Sequence, residues 1–113
     1  MLLEGFLLAC GGVAIGASIA VTCSPGKAEL CLSLGADLVL KRSPHDWLAD
    51  AQASVPGGFG TILDVVGGEE IDRNLQVVAP RGTIVQVGLM AGGSVQVNVG
   101  LLMGKRAHWI GTT

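Results

Sequence analysis

Short β-rich runs alternate with segments of helical spacing along most of this chain, and that alternation restricts the folds open to it. "SIAVTC" (18–23), "DLVL" (37–40), "TILDVV" (61–66), "TIVQVGL" (83–89) and "AHWIGT" (107–112) read as strands. Helical segments separate them. In "SPGKAELCLSLGA" (24–36), Ser24 is placed to cap the helix, Pro25 suits its first turn and Gly35 stops it. "SPHDWLADAQASV" (43–55) sets Trp47, Leu48, Ala51 and Val55 at helical spacing, and "PGGFG" (56–60) follows as a loop. "EEIDRNLQVV" (69–78) has acids in its first turn and Ile71, Leu75 and Val78 on one face. "APRG" (79–82) turns the chain, "MAGGS" (90–94) is a loop, and 95–106 reads as a short strand and then a helix.

Strand–helix–strand alternation with apolar strands implies parallel βαβ units with right-handed crossovers, an α/β doubly wound sheet. Ligands of such sheets bind outside the carboxyl ends of the strands. Those ends carry "TCSPGK", "VVGG" and "VGLMAGG" here. Glycines there let a ligand approach the backbone, or serve only as turns; ligand binding is the preferred reading.

Half of the 113 residues are hydrophobic, 14% are charged and the formal net charge is −2. This excludes a basic nucleic-acid surface and a polybasic membrane patch. It suggests that both sheet faces are covered, or that one large face meets a partner. Cys10, Cys23 and Cys31 are odd in number and lack metal-ligand spacing, so they read as reduced thiols of a cytoplasmic protein. His45 and His108 have no spaced ligand partners, and Ser24 lacks a G-x-S-x-G context. No catalytic constellation and no metal site are visible.

The opening "MLLEGFLLACGGVAIGAS" (1–18) carries one charge, Glu4, and is apolar enough to raise a membrane span, and its "LLAC" resembles a lipoprotein cleavage box. Against both, no Lys or Arg precedes Lys27, and four glycines between residues 5 and 16 weaken a free-standing helix. The expectation is neither export nor membrane insertion.

"CLSLGAD", "ILDVVGGEEIDRNL", "APRGTIVQVGLMAGG" and "GLLMGKRAHWIGTT" follow one another in an order that resembles the nucleotide-binding Rossmann domain of the zeta-crystallin-like quinone oxidoreductases. These form a zinc-free branch of the medium-chain dehydrogenase/reductase superfamily. The likeness runs from about Gly16 to Thr113. It implies NADPH (NADP) as cofactor, hydride transfer to a quinone or enone, and a homodimer. It also implies a GroES-like catalytic domain that 1–113 lacks, so the chain reads as a single partial dinucleotide-binding domain, not catalytically complete alone.

By the same resemblance, Ser24 and Lys27 stand where relatives hold the adenosine 2′-phosphate, and Arg42 beside the adenosine. A lysine at a helix start and a guanidinium both suit a phosphate. No acid ends the "IAVTC" run, where an NAD-preferring domain would hold the ribose hydroxyls, so NADPH is favoured over NADH. Val65, Val66 and Gly67 match the strand end near the nicotinamide ribose. Val87, Gly88 and Leu89 match the segment facing the nicotinamide carboxamide through backbone groups. Asp64 is expected to cap the turn after its strand. Asn98, Lys105 and Arg106 are expected at a solvated surface or an interface.

The resemblance also leaves parts out. Counting back from Gly16, Phe6–Ile15 falls on the helix that follows the glycine fingerprint, with the first strand and most of the fingerprint absent. That strand is central in such sheets. Its loss predicts a gap between "IAVTC" and "TILDVV", closed by direct pairing or by a partner's segment. A non-catalytic nucleotide-binding module and a dimerising structural protein are the alternatives.

Overall fold

The computed structural model describes residues 6–10, 18–23, 25–33, 35–41 and 47–112. In chain order they form β1 (Phe6–Cys10), β2 (Ser18–Cys23), a 3-10 turn (Pro25–Lys27), α1 (Ala28–Ser33) and β3 (Leu38–Lys41). Then come α2 (Trp47–Ser54), β4 (Phe59–Asp64), α3 (Glu70–Val77), β5 (Val78–Gln86), α4 (Val99–Lys105) and β6 (His108–Gly111). The six strands make one sheet in the order β3-β2-β1-β4-β5-β6, the order of a doubly wound nucleotide-binding sheet. β2 and β3 run parallel, as do β4, β5 and β6.

The first strand departs from expectation. Phe6–Cys10 is a strand, not the start of a helix, and it pairs antiparallel with both β2 and β4. The gap expected between them is therefore filled by the chain's own first segment. Residues 11–15 of the expected helix lie outside the described residues. Two physical reasons account for β1. An open slot would leave two strand edges with unpaired N–H and C=O groups in the middle of a sheet. Its direction follows from the connection: only residues 11–17 separate Cys10 from Ser18, whereas a parallel crossover needs about a dozen. Because β1 opposes both neighbours, β2 and β4 are parallel to each other, and the five other strands share one carboxyl edge.

Most boundaries follow the sequence pattern within a few residues. α1 ends before Gly35, which takes φ +108°, while the Gly35 and Ala36 amides close on Leu32 and Cys31. α3 buries Ile71, Asn74 and Leu75 at i, i+3 and i+4. Asn98 caps α4 by accepting from the Gly100 N–H at 3.0 Å, so residues 95–98 lead into the helix and form no strand. "APRG" does not turn the chain out of the sheet. It is a bulge inside β5, where pairing passes from Phe59–Val78 to Thr61–Thr83 with Arg81 at φ +63°.

One core cluster joins Leu40, Trp47, Ala51, Phe59, Ile62, Leu75, Val78 and Ile84, with Leu101 and Leu102 packed on it. Trp47 also donates from Nε1 to Glu70 Oε2 at 2.8 Å, fixing the start of α2 to the start of α3. Lys105 Nζ donates to the carbonyls of Gln76 (2.8 Å) and Val78 (2.9 Å), placing a cation at the carboxyl end of α3, and partial burial lowers its pKa. The opposite face of the sheet is less covered: Thr61 is exposed and Leu63 is 36% exposed.

Candidate cofactor site

Parallel β4 and β5 end side by side, with Asp64 opposite Gln86, so the two expected segments 65–67 and 87–89 meet at one edge. Asp64 explains why β4 stops there. Its side chain is fully buried, and Oδ1 accepts from the N–H groups of Val66 (2.7 Å) and Gly67 (2.9 Å). Those N–H groups turn onto the carboxylate instead of continuing the ladder, so the strand ends two residues before "TILDVV" does. The capping role expected of Asp64 is the one it has. Its Oδ2 accepts from Asn74 Nδ2 at 2.8 Å, holding α3 to the same point, and Asn74 Oδ1 is left buried without a partner.

The backbone of the two loops is stitched together. The Asp64 carbonyl accepts from the N–H groups of Val87 (2.8 Å) and Gly88 (3.2 Å). Met90 and Ala91 donate to the Val65 and Val66 carbonyls, and Gly68 donates to the Gly92 carbonyl. Gly67 (φ +67°) and Gly68 (φ +57°) supply the left-handed turn that this requires. A Cβ on Gly88 would stand 2.8 Å from the Val65 carbonyl oxygen, so glycine alone allows this approach. The N–H groups of Val66 and Gly67 are thus engaged within the protein, as are the carbonyls of Val65, Val66 and Gly67. These residues build the wall. Among the described residues, the groups of 87–89 that carry no hydrogen bond are the Val87 carbonyl and the Leu89 N–H. Backbone accounting of this kind is not readable from a sequence.

An open cleft of about 750 Å³ lies against the 87–89 loop, lined by Gln86, Val87, Gly88, Leu89, Gly111 and Thr112; Val65, Val66 and Gly67 support that loop from behind and do not line the cleft. Sequence reasoning missed Gln86, Gly111 and Thr112. Parallel pairing of Gln86 with Gly111 brings them in, and the end of the last strand run was their only signal. A second hollow, lined by Leu48, Glu69, Asp72 and Arg73, lies over α3, where Arg73 pairs with Glu70 and Asp72 accepts from the Asn98 N–H.

Lys27 closes the turn after β2, at the same carboxyl edge, and is half-exposed. Three strand spacings separate β2 from β5, roughly 14 Å at ~4.8 Å each, a distance an extended dinucleotide spans. Ser24 and Arg42 lie outside the described residues. The fit to a dinucleotide is therefore uneven. At the β5–β6 end, a free carbonyl and a free N–H suit a carboxamide. At the centre the fit fails, because β1 runs the other way: Phe6 opposes Asp64 at the carboxyl edge, and Cys10 opposes Ser18 at the amino edge. The helix N-terminus that would hold a pyrophosphate after a parallel central strand has no counterpart there among the described residues.

The family model described as zinc-binding dehydrogenase matches residues 7–113. A trans-enoyl reductase of Aspergillus terreus, pgmF, is 29% identical over 99 residues, which are 86% of this chain and 26% of that protein. The crystal structure of a Pseudomonas syringae quinone oxidoreductase superposes with a TM-score of 0.76 at 31% identity, over 88% of this chain and 32% of that one. A benzyl alcohol dehydrogenase from Acinetobacter calcoaceticus has the same fold, with a TM-score of 0.73 at 24% identity over 83% of this chain and 27% of that one. The chain thus spans about a quarter of the length of the curated relative it matches. Its family implies a nicotinamide dinucleotide as cofactor. The chain belongs to the zinc-binding dehydrogenase family and corresponds to the nucleotide-binding domain of the medium-chain dehydrogenases and reductases.

Proposed function

We propose that the chain is the NADPH-binding part of a reductase of the zinc-free, zeta-crystallin-like branch, passing hydride to a quinone or enone. The observation that supports this is the cleft lined by Val87–Leu89, a segment in which the Val87 carbonyl and the Leu89 N–H carry no hydrogen bond and so are available to a carboxamide. Lys27, with Ser24 and Arg42, takes the 2′-phosphate; β2 ends in Thr22 and Cys23 and carries no acid for a ribose hydroxyl. Val65, Val66 and Gly67 back the nicotinamide ribose. The other wall of the cleft and the substrate contacts belong to a GroES-like domain outside residues 1–113. The protein works in the cytoplasm; no helix among the described residues is long and apolar enough to cross a membrane.

Fluorescence titration with NADPH and NADH, followed by a quinone-reduction assay, tests this. No NADPH binding at millimolar concentration removes the reading for this chain. Lys27→Ala is expected to abolish most of the preference for NADPH over NADH; a preference that survives removes the phosphate role of Lys27.

One observation favours a second reading, a non-catalytic nucleotide-binding or dimerisation module: the antiparallel β1 where a pyrophosphate-binding turn would start. NADPH binding without turnover supports it.

We further propose a homodimer through the β6 edge. β6 is the outermost strand, all four of its residues are exposed, and Trp109 (39%) and Ile110 (51%) are large and apolar. Ile110→Lys is expected to convert a dimer into a monomer by analytical ultracentrifugation; an unchanged mass sinks the β6 interface.

A further inference from the structure

Gln86 is engaged on three sides. Its Oε1 accepts from Trp109 Nε1 at 3.3 Å, and its Nε2 donates to the Gly88 carbonyl at 2.8 Å and, at 3.4 Å, to the Asp64 carbonyl. Its own carbonyl accepts from the Thr112 N–H at 3.0 Å. One side chain thus ties the outer strand β6 to the loop that lines the cleft.

The loop needs such a tie. Val87, Leu89, Met90 and Ala91 are exposed, so hydrogen bonds rather than burial hold this stretch in place. Glycine at 88 also makes the peptides on either side of it easy to rotate. Each of those peptides is planar and trans, so its C=O and N–H point in opposite directions. Pinning one group therefore aims the other. In the 87–88 peptide, the Gly88 N–H is pinned on the Asp64 carbonyl, which aims the Val87 carbonyl the opposite way. In the 88–89 peptide, the Gly88 carbonyl is pinned by Gln86 Nε2, which aims the Leu89 N–H the opposite way. The two groups left open are thus set by two pins, and only one pin is backbone.

We propose that Gln86 is a positioning residue that holds the 88–89 peptide so that the Leu89 N–H meets the carboxamide of a nicotinamide nucleotide. This rests on the cofactor reading above. Trp109 is the outer anchor of the same hold, since its indole N–H fixes which end of the Gln86 amide faces Gly88.

The test uses the 113-residue chain with Gln86→Met, which keeps the length of the side chain but removes donor and acceptor. Trp109→Phe serves as a second variant. Without ligand, the 15N order parameter of Leu89, whose N–H belongs to the 88–89 peptide, should fall in Gln86→Met from the rigid range of about 0.85 toward about 0.6, while those of Ile62 and Ile84 in the ladder stay. Affinity for NADPH should fall about fivefold, and affinity for 2′-phospho-ADP-ribose, which has no nicotinamide, should stay. Trp109→Phe should show the same pattern at smaller size. Equal losses for both ligands overturn the positioning role, because general loosening does not distinguish the two ends of the nucleotide. An unchanged order parameter at Leu89 overturns it as well. Failure of the unsubstituted chain to bind NADPH overturns the cofactor reading instead, and the order parameter of Leu89 still decides whether Gln86 holds the 88–89 peptide.

Discussion

Asp64→Ala is expected to lower the stability of the chain by about 3–5 kcal/mol, enough to leave much of it unfolded if its total lies at the lower end of the usual range of about 5–15 kcal/mol. The carboxylate is fully buried and is the acceptor for three donors, the Val66 and Gly67 N–H groups and Asn74 Nδ2. Alanine leaves all three in the interior, and each orphaned donor costs about 1–3 kcal/mol. Part of that is recovered if water enters the space, so the low end of that sum is the expected range. Asp64→Asn keeps one oxygen for the turn but sets an NH2 group against Asn74, and should cost less. Urea unfolding followed by circular dichroism reads both. A loss under about 1 kcal/mol for the alanine variant would sink the view that this side chain holds β4, α3 and the cleft wall together.

Gly67→Ala is the second large effect, about 2–4 kcal/mol. Two independent costs meet there. A non-glycine residue at φ +67° costs about 1–3 kcal/mol. The added Cβ would also stand 2.8 Å from the Gly92 carbonyl oxygen, which cannot retreat freely because it accepts from the Gly68 N–H at 2.9 Å. Two controls separate the terms. Gly92→Ala has φ +113° but open space around its Cβ, so it should carry the backbone cost alone. Gly57→Ala has open space and no positive φ, and should change stability by less than about 1 kcal/mol in either direction. If all three variants lose the same amount, the close approach of the 67–68 and 91–92 segments is not what makes Gly67 necessary.

The strands after the first and the helices between them were legible because period-2 and period-3.6 patterns report which face each element buries. α3 shows this in Ile71 and Leu75, and β4 in Ile62 and Asp64. The juxtaposition of Val65–Gly67 with Val87–Leu89 was legible too, since parallel strands in a doubly wound sheet end at one edge. Other features were not. "APRG" has turn composition, and only the pairing of β5 with β4 makes it a bulge. Gln86 looks like any polar residue at a strand end until β6 lies beside it and brings Trp109 within 3.3 Å. Which backbone groups stay open in 87–89 depends on Asp64, more than twenty residues away, together with the nearby Gln86 and Gly92.

The opening segment divides the two kinds of information most clearly. "FLLAC" is apolar throughout, and its composition suits a helix or a strand equally. Local pattern determined only that it would be an apolar element. Tertiary structure decided the rest, because the unpaired edges of β2 and β4 make a strand the lower-energy occupant of the space between them. The length of the 11–17 connection then sets its direction. That direction places Cys10 at the amino edge, while the cleft at the carboxyl edge is lined by Gln86–Leu89, Gly111 and Thr112. Hydrophobic periodicity is a property of each segment, whereas strand direction and the pairing of backbone groups belong to pairs of segments, and only the folded sheet brings those pairs together.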